Sequence, residues 1–385
     1  MGYEFTREDV RYLSSAADDL AEVDRLELSA RTHLADIGRV RARFGDRTAA
    51  LVETVLLRRR AAAKLDGSGD WLLTDDALQQ ATPTVVARHR ARRVAGRAVH
   101  DVTCSIGAEL FALTGVADVV VGSDLDPVRL AMAARNAPGA TVIRADALIP
   151  CTRDTVVLAD PARRSGGKRR HDPAALQPPL PDLLDAYRGR DLSVKCAPGL
   201  DYDALDWDGE VEVVSLDGGV REACLWSPGL AGPGVRRRAT VLRSDGGGWE
   251  LTDAEPDDLP EREPGRWIVD PDGAVVRAGL VRHYAARHGL WQLDPRIAYL
   301  TGDTVPAGVR GFRVLEQLKY TEKALRQELA RLDCGVAEIL VRGVDVDPAV
   351  LRPKLKLRGS ASLSVVLTRI GRTPVAFVCE AGVRA

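Results

Sequence analysis

The chain has 385 residues, 45% of them hydrophobic, with 54 Lys+Arg against 55 Asp+Glu and a formal net charge of −1. At roughly 100–200 residues per domain, this length implies two or three domains with ample core, and the apolar share excludes a disordered chain. The balanced charge excludes a globally basic nucleic-acid coat or an acidic tail protein, and 5% aromatics argue against a surface of stacking platforms, so a charged partner must meet a local patch.

Apolar residues at three- and four-residue steps predict helix from residue 1 to about 80, most clearly through 40–57. Gly67-Ser-Gly-Asp70 reads as a loop, and Trp71-Leu-Leu-Thr74 leads into a helix capped by Thr74 or Asp75. A break at Thr82-Pro83 precedes a strongly basic helix with Arg88, His89, Arg90, Arg92, Arg93 and Arg97. From about residue 97, short β-rich runs alternate with helices. Strands are expected over 98–102, 118–124, 141–144, 155–160 and 192–196, and helices over 108–113 and 127–136, the second with Pro127 in its first turn. Such alternation predicts a parallel, doubly wound α/β sheet. Residues 210–216 and 221–226 flank Asp217-Gly-Gly219 as a hairpin that ends the sheet with an antiparallel edge. A Gly/Pro-rich boundary at 228–233, a strand over 236–242 and a charged, loop-rich stretch over 244–264 follow. From Phe312 the order reads strand, helix (321–332), strand (337–341), short helix and two strands (362–369 and 374–379), a compact α+β unit.

The segment Asp101-Val-Thr-Cys-Ser-Ile-Gly107 sits where the first strand turns into a helix, the place at which open α/β sheets bind ligands. Gly107 lets backbone approach a ligand, and small Thr103 and Ser105 keep the turn tight. Asp124, at the end of the second strand in Gly122-Ser-Asp-Leu-Asp126, is placed to accept hydrogen bonds from both hydroxyls of a ribose; Asp146, after the third, can reach an adenine edge. Any one of these features is common, but three at successive strand ends point to a nucleoside cofactor. G-x-G-x-x-G is absent, because positions 103 and 105 are Thr and Ser, and so is a P-loop; nicotinamide cofactors and ATP hydrolysis are disfavoured.

Taken together, D-x-x-C-x-I-G, G-S-D-L-D-P, R-A-D and a D-P-x-R at the fourth strand resemble a class I S-adenosylmethionine-dependent methyltransferase. Residues 81–93 resemble the helix that leads into the methyltransferase domain of trimethylguanosine synthases. The segments Asp160-Pro-Ala-Arg-Arg164, Val194-Lys-Cys-Ala-Pro-Gly-Leu-Asp201 and Leu340-Val-Arg-Gly-Val-Asp-Val-Asp347 resemble a bacterial, largely actinobacterial, family with a C-terminal THUMP-like domain. The resemblance implies an α/β fold: a Rossmann-like class I methyltransferase sheet with an N-terminal helical region and a C-terminal α+β THUMP-like domain. The expected divisions are 1–82 helical, 83–232 methyltransferase, 233–310 β-rich connection and 311–385 THUMP-like. It implies S-adenosylmethionine as cofactor, held by Asp101, Cys104, Ser105, Gly107, Asp124, Leu125 and Asp146. Asp101 and Gly107 would flank the methionine moiety, Asp124 the ribose and Asp146 the adenine. Ser105 departs from the glycine of many relatives.

Methyl transfer from a sulfonium mainly needs alignment and exclusion of water. The resemblance assigns this to the fourth strand end. In relatives carrying [D/N/S]-P-P-[Y/F/W], the acid and a proline carbonyl accept hydrogen bonds from a target amine while an aromatic stacks on the base. Here Asp160 and Pro161 keep the first pair, Ala162 stands third, and Arg163 replaces the aromatic; a guanidinium can lie over a base or pair with a phosphate. Arg164, Lys168, Arg169, Arg170 and His171 follow as a dense basic strip that suits a polyanion. Lys195, at the fifth strand end, reads as a candidate for steering substrate, or for proton transfer if its pKa falls; a buried stem under a solvated ammonium is the plainer alternative.

A THUMP-like module implies RNA. Over 310–372 there are 13 Lys+Arg against 7 Asp+Glu, and Lys354, Lys356 and Arg358 alternate with Leu355 and Leu357, so an extended strand would put three cations on one face. Arg342 and Arg369 extend that patch, which fits phosphate contacts or, alternatively, the solvation of an edge strand.

The six cysteines lie at least 28 residues apart without C-x-x-C spacing, and the six histidines do not cluster, so neither a metal site nor a disulfide framework is expected. No apolar run approaches the roughly 18 residues that span a bilayer. The Met1-Gly-Tyr-Glu-Phe-Thr6 start fits the myristoylation pattern but is followed by acidic residues, not a basic patch. The expectation is a cytoplasmic methyltransferase acting on a base of tRNA or rRNA, without membrane or metal. A small-molecule or protein methyltransferase, or a non-catalytic RNA-binding protein that retains the fold, remain the alternatives.

Overall fold

The computed structural model describes residues 2–163, 176–202 and 204–384. The chain divides into two compact units: Met1–Val211 with Glu222–Pro233 and Leu242–Gly247, and Glu212–Arg221 with Gly234–Val241 and Gly248–Ala385.

The first unit opens with six helices, α1 (Arg7–Ser15), α2 (Ala17–Asp24), α3 (His33–Phe44), α4 (Thr48–Ala61), α5 (Asp75–Gln80) and α6 (Thr84–Arg92). Local chemistry sets their starts. Thr6 and Asp9 cap α1 reciprocally, the Asp9 amide donating to Thr6 Oγ1 (3.1 Å) and the Thr6 amide to Asp9 Oδ2 (2.9 Å). Thr74, of the two candidates, caps α5 by accepting from the Ala77 amide. There follow β1 (Ala98–Asp101), α7 (Ala108–Leu113), β2 (Val119–Asp124), α8 (Pro127–Asn136), β3 (Thr141–Arg144), β4 (Val156–Ala159), the two-residue strands β5 (Ala162–Arg163) and β6 (Leu176–Gln177), α9 (Leu180–Ala186) and β7 (Leu192–Cys196). β8 (Glu210–Leu216) and β9 (Gly219–Trp226) form the expected hairpin, turning at Asp217 (φ 52°) and Gly218 (φ 78°), both in the left-handed region that two-residue hairpin turns require.

In the first unit the sheet order is β9-β7-β4-β1-β2-β3, parallel except for β9, which runs antiparallel to β7. All four residues of β4 are buried, as a strand covered on both faces must be. The chain reverses its progress across the sheet between β1 and β4, which opens a crevice at their carboxyl ends. The N-terminal helices pack on the α7 and α8 side, where Leu51, Leu57, Leu72 and Leu73 share a core with Ile106 and Met132. Asn136 fastens the two parts. Its side chain donates to the carbonyls of Leu72 (2.9 Å) and Ile106 (2.8 Å) and accepts from the Leu72 amide (2.9 Å), fully buried.

In the second unit β10 (Arg237–Leu242) and β11 (Gly248–Thr252) continue from β8 in the order β11-β10-β8. The rest comprises β12 (Trp267–Asp270), α10 (Gly273–Arg277), α11 (Val281–His288), β13 (Trp291–Gln292), β14 (Leu300–Gly302), β15 (Arg310–Lys319), α12 (Glu322–Arg331), β16 (Cys334–Val341), α13 (Pro348–Leu355), β17 (Ala361–Ile370), β18 (Thr373–Glu380) and β19 (Val383–Arg384). Its sheet runs β13-β14-β12-β15-β18-β17-β16, with β19 beside β15. Leu325 and Leu329 of α12 and Leu351 and Leu355 of α13 share a core with Leu363, Val365 and Val378 of β17 and β18.

One expectation fails here. Residues 354–358 are not a strand: Lys354 lies in α13, Lys356 ends that helix in the left-handed region (φ 51°), and Arg358 follows in a loop. Asp347 caps α13 by accepting from the Ala349 amide, Pro348 occupies its first turn, and Leu351 and Leu355 are buried one turn apart. Helical spacing of two core leucines, started by a good cap, overrides a five-residue alternation.

Candidate active site

The β1–α7 turn is built to carry charge at the sheet's carboxyl edge. Asp101 is buried (4% exposed) and accepts from the Thr103 amide (3.0 Å), while Thr103 Oγ1 accepts from the Asp160 amide (2.7 Å), so the ends of β1 and β4 are tied together. Ser105 adopts φ 48°, a left-handed conformation costing a non-glycine residue on the order of 1 kcal/mol. Its amide donates to Asp124 Oδ2 (3.0 Å), and the Asp126 amide donates to Asp124 Oδ1 (2.9 Å), which fixes the Asp124 carboxylate at the β2 end. Asp146 is held likewise by the Leu148 amide (2.9 Å).

Gly107 has a packing role of its own. At φ 82° it caps α7, and a Cβ there would lie 3.1 Å from Cα of Ala133, so glycine lets α7 meet α8 closely.

A cavity of about 750 Å³ opens over these strand ends. Asp101, Cys104, Ser105, Asp124, Leu125, Asp146, Asp160 and Lys195 all line it, so the structure brings together the cofactor and catalytic candidates of the sequence except Gly107, Pro161 and Arg163. Pro161 is buried beside it, and Arg163 lies in β5, its backbone paired with Leu176. Arg164, Lys168, Arg169, Arg170 and His171 fall outside the described residues.

Lys195 donates to Asp160 Oδ2 (2.6 Å) and Thr82 Oγ1 (2.9 Å). Burial works to lower its pKa, but the Asp160 and Glu222 carboxylates outweigh that and hold the ammonium above its ordinary range. Lys195 therefore stands as a cation hydrogen-bonded to Asp160, and its pKa is not lowered in the way the proton-transfer alternative called for.

Beneath the turn lies a network that the sequence pattern did not reveal. Arg90, on α6, donates to Glu222 and pairs with Glu109 Oε2 (3.1 Å), and Arg90 and Glu222 are 5% and 2% exposed. Glu109, in the first turn of α7, lines the cavity, and its other oxygen, Oε1, is buried with no hydrogen-bond partner. Burial lifts the Glu109 carboxyl to about 7 and, together with the neighbouring Glu109 charge, lifts Asp101 to about 8. Arg129 of α8 also reaches the cavity, donating to Asp76 (2.8 Å) and Ser105 Oγ (3.4 Å).

The basic stretch at 88–97 is largely paired. Arg88 pairs with Asp66, Arg93 with Glu210 (2.6 Å) and over the Trp226 ring, and Arg97 with Asp191 (2.6 Å). Arg88, Arg90, Arg93 and Arg97 thus form ion pairs, and Arg92 is exposed without an acidic partner among the described residues. In the second unit, Arg342 pairs with Asp270 (2.8 Å) over the Tyr299 ring, Arg369 pairs with Asp294 (3.3 Å), and Lys354 pairs with Glu322 (2.7 Å). Lys356 and Arg358 are exposed and have no acidic partner among the described residues.

A parallel sheet with an acid at each of three successive strand ends, around a cavity of this volume, defines a nucleoside-cofactor site of the class I methyltransferase kind. Two proteins of Mycobacterium tuberculosis, from strains CDC 1551 / Oshkosh and ATCC 25618 / H37Rv, each named an uncharacterized S-adenosylmethionine-dependent methyltransferase, are 62% identical to it over 358 residues, 89% of this chain and 99% of each relative. The chain belongs to the S-adenosylmethionine-dependent methyltransferases, and its residues 309–381 match the THUMP domain-like family. A crystal structure from Porphyromonas gingivalis W83, described as a methyltransferase, shares the fold over 98% of this chain and 99% of that one (TM-score 0.72, 19% identity). The protein is an enzyme, and its methyl donor is S-adenosylmethionine. Among the described residues no helix is long and apolar enough to cross a membrane, and no cluster of His, Cys, Asp or Glu has the makings of a metal site.

Proposed function

We propose that the protein methylates a base of RNA, in tRNA or rRNA, within the cytoplasm. The observation that carries this reading is the THUMP-like match over residues 309–381, with exposed Lys356 and Arg358 in that module as phosphate contacts. The donor supplies a methyl group made electrophilic by its sulfonium. Asp101, Cys104 and Ser105 seat its methionine end, Asp124 accepts from the ribose hydroxyls, and Leu125 and Asp146 border the adenine. Asp160 follows β4, on the other side of β1 from Asp124 and Asp146. Its carboxylate, oriented by Lys195, and the Pro161 carbonyl accept hydrogen bonds from the base amine and aim its lone pair at the methyl carbon. Arg163, with Arg164, Lys168, Arg169 and Arg170, meets the polyanion.

The test is to incubate the protein and methyl-labelled donor with RNA, protein and metabolite fractions from cells lacking the gene. Label entering the RNA fraction, and lost with Asp160→Ala, is the expected result. Label entering only protein or metabolites overturns the assignment.

A further inference from the structure

Three carboxyl groups and two cations of the cavity lining lie together, and a fourth carboxyl, Glu222, is buried behind Arg90. Asp101 ends β1, Glu109 starts α7, Asp160 follows β4 and Glu222 lies on β9; against them stand Arg90 from α6 and Lys195 from β7. Cys224 of β9 also faces Glu222 (Sγ to Oε1, 3.4 Å). Arg90 is spent on Glu109 and Glu222, and Lys195 on Asp160. That leaves Asp101 with no cationic partner within bonding distance among the described residues, and Glu109 with one oxygen buried and unbonded. A dry site does not keep surplus negative charge: it holds protons, or it takes a cation.

We propose that Glu109 is a binding residue for the methyl donor, its free carboxylate oxygen taking the α-ammonium of the methionine arm in exchange for a proton. This rests on seating the methionine end beside Asp101, and not on the RNA assignment. The geometry supplies the reasons. Glu109 lies two residues beyond the Asp101–Gly107 loop, in the first turn of α7, lines the same cavity, and has its second oxygen anchored by Arg90, so the first is held in place. Asp101 assists as the neighbouring acid. Both carboxyls carry protons near neutrality, for the burial reason given above. The sign follows. Below about pH 7 protons occupy the acids and compete with the ammonium; above about pH 8 the carboxylates are free and the ligand binds best.

S-adenosylhomocysteine is the useful probe, because its neutral sulfur leaves the amine more basic than the donor's, and the amine stays charged across this range. The full chain is titrated calorimetrically with it at about pH 6 and about pH 8, in buffers of differing protonation enthalpy. The expected result is proton release on binding and affinity rising by up to about tenfold per pH unit. 5′-Methylthioadenosine, which lacks the amino-acid arm, is expected to bind without pH dependence. Glu109→Gln should lower affinity about tenfold at the higher pH, leave it near wild type at the lower, and reduce the proton release. Equal pH dependence for both ligands, pH-independent binding of S-adenosylhomocysteine, or wild-type proton release in Glu109→Gln overturns the inference while leaving the seat intact. Failure to bind either ligand at any pH overturns the seat itself. The two wild-type titrations decide the matter even if the variant folds poorly.

Discussion

Arg90 and Lys356 both come from stretches rich in basic residues, yet Arg90 is 5% exposed between two glutamates and Lys356 stands in solvent at the end of α13. The first belongs to a cavity lining where it is buried and paired with Glu109 and Glu222; the second belongs to a THUMP-like module, where it has no acidic partner among the described residues. In the lining, removing one partner leaves another charge stranded in low dielectric, so the consequence is folding energy. In the module, removing a cation forfeits only a screened interaction, so the consequence is affinity for a polyanion that weakens with salt. Equal densities of Lys and Arg in sequence therefore say little until burial is known.

The contrast can be broken at either end. The largest effect is expected from Arg90→Met, which strands Glu109 and Glu222 and should cost about 3–5 kcal/mol in chemical denaturation; a loss below about 1 kcal/mol would mean the pair is not buried as described. Next comes Asn136→Ala, which leaves the Leu72 amide and the Leu72 and Ile106 carbonyls without their partner and should cost about 2–3 kcal/mol by the same measurement. A neutral result would detach the helical region from the cofactor turn. The smallest effect on stability belongs to Lys356→Ala with Arg358→Ala. Their unfolding midpoint should match wild type, while the slope of log affinity for RNA against log salt falls by about 2, near one unit for each phosphate no longer neutralised. An unchanged slope would remove both residues from the RNA surface.

Much of the first unit was legible in the sequence because its elements are punctuated. Pro127 after a capping Asp126 started α8, and helices over 108–113 and 127–136 formed as the pattern required. The three strand-end acids followed from that alternation. The buried network was not found, although two signals pointed to it. Val86, Arg90 and Val94 are spaced four apart, so helical periodicity places Arg90 on the apolar face; Glu222 stands beside the apolar run Ala223-Cys-Leu-Trp226. A charge inside an apolar pattern is a buried charge seeking a partner, and the density of basic residues over 88–97 masks that phase. Residues 354–358 misled for the opposite reason: five residues satisfy both periods, and only the Asp347-Pro348 start and the Leu351–Leu355 spacing separate them.

The central claim is that the strand-end acids form the seat of the methyl donor, and calorimetric titration with S-adenosylmethionine tests it most directly. Wild type should bind, and Asp124→Ala, which on this account removes the acceptor for two ribose hydroxyls, should weaken binding by about a hundredfold or more, at about 1.5–3 kcal/mol for each hydrogen bond to a charged group. Absence of binding by the wild type, or equal affinity in the variant, would contradict the account.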